Sequence, residues 1–82
     1  MSQLELNEQV DVIAKFSEGV ISPLFFKYNG RHYKVETIDL KYHFKKNGVS
    51  FHSFSIGCVG NSYKLVYNSQ DSVWRLEEIF TN

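Results

Sequence analysis

Apolar and polar residues alternate along most of this chain with the period of two that is typical of half-buried β-strands. No segment sustains the 3.6-residue period of an amphipathic helix. Turn residues interrupt the alternation at intervals of about 8–12 residues, as they do in antiparallel meanders. The pattern predicts an all-β antiparallel meander of about six strands that forms a strongly bent sheet or a small barrel. The predicted strands cover residues 9–17, 20–29, 31–44, 49–59 and 72–80, with one more between turns at 60–61 and 68–71.

The strongest turn signal is Asn29–Gly30, because a type I′ turn needs positive φ at both central residues. A two-residue turn at this point sets Phe26 opposite Tyr33 and Leu24 opposite Val35 on an apolar face. The other face of this predicted hairpin is basic with one aromatic residue. Its members are Phe25, Lys27, His32 and Lys34.

The region 31–44 is long for one strand, and its apolar residues change from odd to even positions near Thr37–Ile38. One extra residue at that point, a β-bulge, would explain the change and bend the strand. Pro23 lacks a backbone N–H, so its part of the preceding strand is expected at an edge or a bend.

The turn after this strand has two possible registers. A two-residue loop, Asn47–Gly48, would set Leu40 opposite Ser55, whereas a three-residue loop that starts at Lys46 would set Leu40 opposite Phe54. The three-residue loop is predicted, because it buries apolar residues against apolar residues. It directs Leu40, Tyr42 and Phe44 inward, and Lys41, His43 and Lys45 outward.

The last two hairpins are predicted around a turn at Gly60–Asn61 and a loop over 68–71. This register pairs Cys58 with Tyr63 and Trp74 with Leu65. It also places Val66 and Val73 side by side on the outer face. The rows predicted to face inward are apolar throughout: Phe54, Ile56, Cys58, Tyr63, Leu65, Tyr67, Trp74 and Leu76.

At 82 residues the chain has room for one domain, predicted over 9–82 after a flexible lead-in at 1–8. The single cysteine, Cys58, excludes an intramolecular disulfide and fits a reducing cytosol. The first nine residues lack the features of a secretory signal, and no apolar run is long enough for a membrane helix. We therefore expect a cytoplasmic protein without a membrane partner.

The formal net charge is zero, but its distribution is uneven. Residues 27–46 contain six lysines and arginines against two acids, a local charge of +4, and the rest of the chain carries −4. The balance gives no global attraction to nucleic acid, although a folded sheet could gather the basic segment into one patch.

The spacing Pro23-x-x-Phe26-x-Tyr28-x-Gly30-Arg31-x-Tyr33-x-Val35, followed by Trp74-x-Leu76, resembles a family of short bacterial all-β proteins of unknown function. In that family a tryptophan usually occupies the place of Tyr28. Related domains occur alone or attached to translesion-polymerase-like proteins. The resemblance implies the fold and a loose link to DNA transactions, and it implies no catalytic residue.

Candidate chemistry is sparse, and no enzyme activity, cofactor or small-molecule substrate is predicted. The three histidines, His32, His43 and His52, are not expected to converge as zinc ligands, because the predicted register separates them. Cys58 is predicted to face the core, where a thiol is inert. Glu77 and Glu78 point to opposite faces, so they do not form a catalytic pair.

Two functional hypotheses follow from the outward residues. The first is a non-enzymatic β-barrel module that binds a protein partner, or a second copy of itself as a homodimer, through outward apolar residues. These are Phe25, Phe51, Val66, Val73 and Ile79. The alternative is weak, sequence-tolerant nucleic-acid binding, in which lysines contact phosphates and aromatic rings stack on bases. The residues for this are Phe25, Lys27, His32, Lys34, Lys41, His43, Lys45 and Phe51.

Overall fold

The computed structural model describes residues 2–81, and it confirms the all-β, antiparallel prediction. Seven strands form one strongly curled half-barrel sheet in the order β3-β2-β1-β7-β6-β5-β4. The strands are β1 (Ser2–Ser17), β2 (Val20–Tyr28), β3 (Arg31–Lys34), β4 (Thr37–Lys46), β5 (Val49–Cys58), β6 (Asn61–Asn68) and β7 (Val73–Thr81).

The half-barrel is held together by the connection between β3 and β4. These strands follow each other in the chain but occupy opposite edges of the sheet. The Val35 N–H donates to the carbonyl of Leu24 in β2 at 2.8 Å, and the Glu36 N–H donates to that of Gly57 in β5 at 3.0 Å. Three Cα–Cα steps span at most about 11 Å, so the sheet must curl until its two edges meet here.

The prediction of one strand over 31–44 was therefore wrong in its details. The bend near Thr37 is real, but residues 35 and 36 belong to neither strand and carry the chain from β2 to β5. A β-bulge lies further on, where Asp39 is the extra residue between the pairs Ile38–Ile56 and Leu40–Ser55. This division accounts for seven strands where the sequence suggested about six.

The first strand begins earlier than expected. Residues of the predicted lead-in pair with the end of the chain, from Ser2 opposite Thr81 to Glu8 opposite Leu76, and the pairing continues to Val10 opposite Trp74. The second half of β1 then pairs with β2. β1 thus joins the two parts of the curled sheet. Met1 and Asn82, the outermost residues of the predicted segments, lie outside the described residues.

Four two-residue turns each connect the two strands of a hairpin, and each turn has glycine at its second position. The first residues of the turns, Glu18, Asn29, Asn47 and Val59, have φ between 49° and 54°. The pairing predicted around Asn29–Gly30 is confirmed, with Phe26 opposite Tyr33 and Lys27 opposite His32. Two positive φ angles in succession are the requirement of a type I′ turn, whose twist matches that of the flanking strands.

The turn between β5 and β6 is Val59–Gly60, not the predicted Gly60–Asn61. Cys58 consequently faces Asn61 rather than Tyr63, and Ile56 faces Tyr63. The reason for the error is Val59, a β-branched residue in a left-handed conformation that such residues rarely adopt. The slip is two residues, so every side chain keeps its predicted face.

The pairing of β6 with β7 moves by the same amount, which sets Trp74 opposite Tyr67 and Leu76 opposite Leu65. A bulge then follows, in which Glu77 is the extra residue and lies 3.5 Å from the Lys64 amine. The bulge reverses the faces of the residues beyond it.

The core occupies the inner, concave face of the half-barrel, and the inner rows predicted for β5, β6 and early β7 are all buried. Phe26 packs its ring 5.1 Å from the rings of both Tyr33 and Tyr63, measured between centroids, which ties the β2–β3 hairpin to β6. The core cluster comprises Val10, Phe26, Phe54, Ile56, Cys58, Tyr63, Leu65, Tyr67, Trp74, Leu76 and Ile79.

Pro23 lies at a bend, as predicted. It is buried beyond the end of the β3 pairing, and Leu24 beside it is the extra residue of a bulge against β1. The bulge leaves Leu24, which was predicted on the apolar face, 40% exposed.

Candidate interaction surfaces

The faces of β4 are the reverse of those predicted. The structure has the two-residue Asn47–Gly48 loop, which sets Lys41 opposite Phe54 and Leu40 opposite Ser55. Because a one-residue change of register moves each side chain to the other face, the lysines and His43 lie on the inner face. Leu40, Tyr42 and Phe44 lie on the outer face.

Because the faces of β4 are reversed relative to the prediction, its apolar side chains form an aromatic surface on the outside of the half-barrel. We call this the outer aromatic surface and define it as Leu40, Tyr42, Phe44 and Phe51. Phe44 and Phe51 stack at 5.2 Å between centroids with 13° between their planes, and Tyr42 lies 5.8 Å from Phe44. Leu40 is 57% exposed and Tyr42 is 45% exposed. These side chains are turned away from the core cluster and have no second layer above them among residues 2–81.

The outer aromatic surface follows an open edge of the sheet. β4 pairs with β5 on one side only, and its ten residues form the last strand in the sheet order. An edge strand offers unpaired backbone N–H and C=O groups to an incoming strand. The backbone groups and the exposed apolar side chains of β4 are therefore available at the same place.

The predicted protein-contact residues meet different outcomes. Phe25 is 39% exposed on the outer side of β2, and Phe51 belongs to the outer aromatic surface. Ile79 was predicted outward, but the bulge at Glu77 turns it into the core, where it is 8% exposed. Val66 and Val73 do lie on the outer side, although they are diagonal neighbours rather than a direct pair.

Val66 offers almost no surface to a partner. It is 4% exposed, it pairs with Arg75, and it lies beside the fully buried Ser53. Val66, Val73 and Phe51 line a shallow groove of about 360 Å³. The Ser53 hydroxyl has no hydrogen-bond partner within the described chain, and its cross-strand partners are Tyr42 and Val66.

The inner face of β4 contains a histidine pair that the predicted register had separated. His43 and His52 stack across β4 and β5 at 4.8 Å between centroids, and Tyr67 lies 6.3 Å beyond His52. Burial lowers the pKa of His52, and the neighbouring His43 and Lys41 lower this pKa further. The alternative two-residue loop at Asn47–Gly48, which was not the one predicted, would have placed these histidines opposite each other.

A pocket of about 260 Å³ lies beside the histidine pair, between the β1–β2 turn and the β4–β5 hairpin. The wall from the β1–β2 side is apolar and contains Val20 and Ile21. The wall from β4 and β5 contains Lys41, His43 and His52, with Phe54 as the cross-strand partner of Lys41. The complete lining is Gly19, Val20, Ile21, Lys41, Tyr42, His43, His52 and Phe54.

The outer face of the β2–β3 hairpin has the predicted basic character, because Phe25, Lys27, His32 and Lys34 are all exposed. On its β1 side, Lys27 pairs with Asp11 and Phe25 pairs with Ile13. A shallow pocket of about 280 Å³ lies among these side chains.

The eight residues predicted for nucleic-acid binding do not form one surface. The hairpin residues are on the outside of β2 and β3, whereas Lys41, His43 and Lys45 are on the inner face of β4 at the other edge of the sheet. Phe51 is on the outer face, opposite Phe44 rather than His43. The basic segment 27–46 is thus divided between two edges and two faces.

Cys58 is buried at 1% exposure, as predicted. Burial raises the pKa of its thiol, and the charge of Glu36 raises it further. Between residues 2 and 81, no three histidines, cysteines or acids are grouped so that they could hold a metal ion. The same part of the chain has no helix long and apolar enough to cross a membrane.

Comparisons with known proteins add no family or function: no family model matches the sequence, and no curated protein or solved structure gives a significant match. The resemblance to the short bacterial family stays a prediction.

Proposed function

We propose that this chain is a protein-interaction module that self-associates through β4. The observation that carries the proposal is that β4, a ten-residue edge strand, combines an unpaired edge with Leu40 and Tyr42 exposed beside it. Strand addition at such an edge gains main-chain hydrogen bonds for affinity and side-chain contacts for specificity.

A second copy of the chain is the occupant that β4 fits best. In an antiparallel pair centred on Tyr42, Leu40 of one copy lies opposite Phe44 of the second, and the two Tyr42 rings meet at the two-fold axis. Each contact away from the axis then occurs twice, as a two-fold interface requires. Cross-strand pairs of aromatic and large aliphatic side chains are stabilising.

The lysines of β4 select this register. Centring the pair on Lys41 would set Lys41 against its own copy, and centring it on His43 would set Lys41 against Lys45. Like charges directly opposite each other are destabilising. Centring on Tyr42 sets Lys41 opposite His43, so no lysine faces a lysine.

Sedimentation velocity over a concentration series up to about 1 mM tests the proposal, since a small interface of this kind is expected to be weak. The wild-type chain should shift toward a dimer as concentration rises. Leu40→Lys should remove the shift, because it places a charge in the contact without touching the core. Ile13→Lys is the matched control, because Ile13 is 62% exposed on β1 and away from β4. A wild-type monomer throughout, or equal loss in both variants, would contradict the proposal.

The alternative of nucleic-acid binding has weaker support, because its residues are divided among three places. The inner face of β4, with Lys41, His43 and Lys45, is the part that retains a row of cationic or titratable groups. Fluorescence anisotropy with a labelled single strand at low salt tests it. Phosphate contacts strengthen as salt falls, so absence of binding under those conditions excludes this alternative.

A further inference from the structure

We propose that the pocket between the β1–β2 turn and the β4–β5 hairpin binds a small organic anion, a carboxylate or sulfonate attached to an apolar body. The site shares Lys41, Tyr42 and His43 with the strand that pairs in the proposed dimer, but the proposal for the pocket does not rest on self-association. It lies on the inner face of the half-barrel, whereas the outer aromatic surface is on the opposite face.

The chemistry of the walls specifies this class of ligand. Val20 and Ile21 supply an apolar wall, on which a ring or short hydrocarbon chain can be buried. The β4–β5 wall carries Lys41 and the stacked pair of histidines, with Phe54 as the cross-strand partner of Lys41. No residue in the lining is acidic, so no internal carboxylate neutralises these groups.

The size of the pocket sets an upper limit on the ligand. Its volume of about 260 Å³ is slightly below the range of roughly 300–1,000 Å³ that is usual for drug-sized ligands. One or two aromatic rings with one acidic group fit this volume. A nucleotide or a longer lipid would extend beyond the pocket.

The ionisation of His52 also favours an anionic ligand. Burial, His43 and Lys41 all disfavour a proton on His52 in the free protein. The titratable and charged groups around its ring are His43 and Lys41 from β4 and Tyr67 from β6, and Gly19–Ile21 contribute none. A bound anion would favour the protonated ring, so binding should take up a proton and strengthen as pH falls.

Titration with 2-naphthoate, followed by nuclear magnetic resonance, tests the proposal, and 2-naphthamide provides a neutral probe of matched shape. We expect naphthoate to shift backbone resonances around Ile21, His43 and Phe54, and to bind about tenfold more tightly than the amide, because a charge-assisted contact is lost with the amide. Binding of naphthoate should also be tighter at about pH 5.5 than at about pH 7.5, because a protonated His52 favours the anion and protonation of His52 decreases as pH rises.

Paired lysine variants locate the charge that matters. Lys41→Met keeps the aliphatic stem and removes the ammonium group, and it should weaken naphthoate binding about tenfold. Lys45→Met is the matched control, because Lys45 shares the inner face of β4 but is not part of the pocket lining. It should leave binding unchanged.

Three results would overturn the proposal: no binding of naphthoate at millimolar concentration, equal affinity for the amide, or equal weakening in both lysine variants. Leu40→Lys separates this site from self-association. A chain that loses dimerisation in that variant and still binds naphthoate supports the pocket whether or not the outer surface is an interface.

Discussion

His43 and His52 stack their imidazole rings face to face across β4 and β5, with 4.8 Å between the centroids and 26° between the planes. The contact exists because a two-residue turn at Asn47–Gly48 makes these histidines direct partners. Burial lowers the pKa of His52, and His43 and Lys41 add to that effect. The pair therefore links the ionisation of the inner face to the register of the hairpin.

The stability of the fold should depend on pH through His52. Its pKa is below 6.5 in the folded chain and returns to about 6.5 on unfolding, so the unfolded state binds more protons in the window just below pH 6.5. The contribution of His52 is fully present above pH 6.5 and is lost as pH falls through the lowered pKa. Urea denaturation of the wild type and His52→Gln across this window measures it, and the wild type should lose more stability.

His43→Gln provides the control for the cause of this shift. It removes the positive neighbour, so the pKa of His52 should rise, and a histidine titration followed by nuclear magnetic resonance measures the change. A wild-type His52 that titrates at or above 6.5 contradicts the assignment.

Val59 should be replaceable with a gain in stability. It has a φ of 49° at the first position of a type I′ turn and is 73% exposed, so its side chain contributes little packing. The left-handed conformation costs an ordinary L-residue about 1–2 kcal/mol, and asparagine tolerates it better. Val59→Asn should therefore raise the free energy of unfolding by about 1 kcal/mol, measured by urea denaturation.

The reciprocal change supplies the control. Asn47 occupies the same position of the β4–β5 turn with a φ of 52°. Asn47→Val should lower the free energy of unfolding by about 1 kcal/mol. If both substitutions change stability in the same direction, turn conformation is not the cause.

The side chain of Thr37 leaves no room for a Cβ atom at position 57, where the chain has glycine. A Cβ atom at Gly57 would lie 2.5 Å from the Thr37 hydroxyl oxygen, and the next neighbour, an Asp39 carboxylate oxygen, is 3.6 Å away. Gly57→Ala alone should lower the free energy of unfolding by about 1 kcal/mol, as overpacking does. Combined with Thr37→Ala it should cost nothing relative to Thr37→Ala, because the remaining contact is ordinary. A double-mutant cycle without this coupling would exclude the clash.

Glu36 should stabilise the junction between β3 and β4. Its backbone N–H donates to Gly57, and its carboxylate accepts the Val59 N–H at 2.9 Å, so it fastens the connection to the β5–β6 turn. Glu36→Ala should lower the free energy of unfolding by about 1 kcal/mol, the usual value of one hydrogen bond. Glu36→Gln keeps a side-chain oxygen acceptor and should cost less. Equal losses in thermal denaturation would show that the acceptor does not matter.

The sequence by itself determined the class of fold, the Asn29–Gly30 hairpin and the inner rows of β5, β6 and early β7. These depend on local information: the period of two, and the positive φ that particular turn residues accept. Even the misplaced turn at Val59 left these rows intact, because a slip of two residues preserves the face of every side chain.

Only the tertiary structure decided which way β4 faces and where it lies. The prediction paired apolar residues with apolar residues and therefore gave a three-residue loop after β4, which is wrong. An edge strand can leave its apolar side exposed. The bulges at Asp39 and Glu77 then reversed local parity, and Ile79 entered the core as a result. The crossing from β3 to β4 depends on the curl of the whole sheet, which no local pattern specifies. The outer aromatic surface and the histidine pocket both follow from that placement.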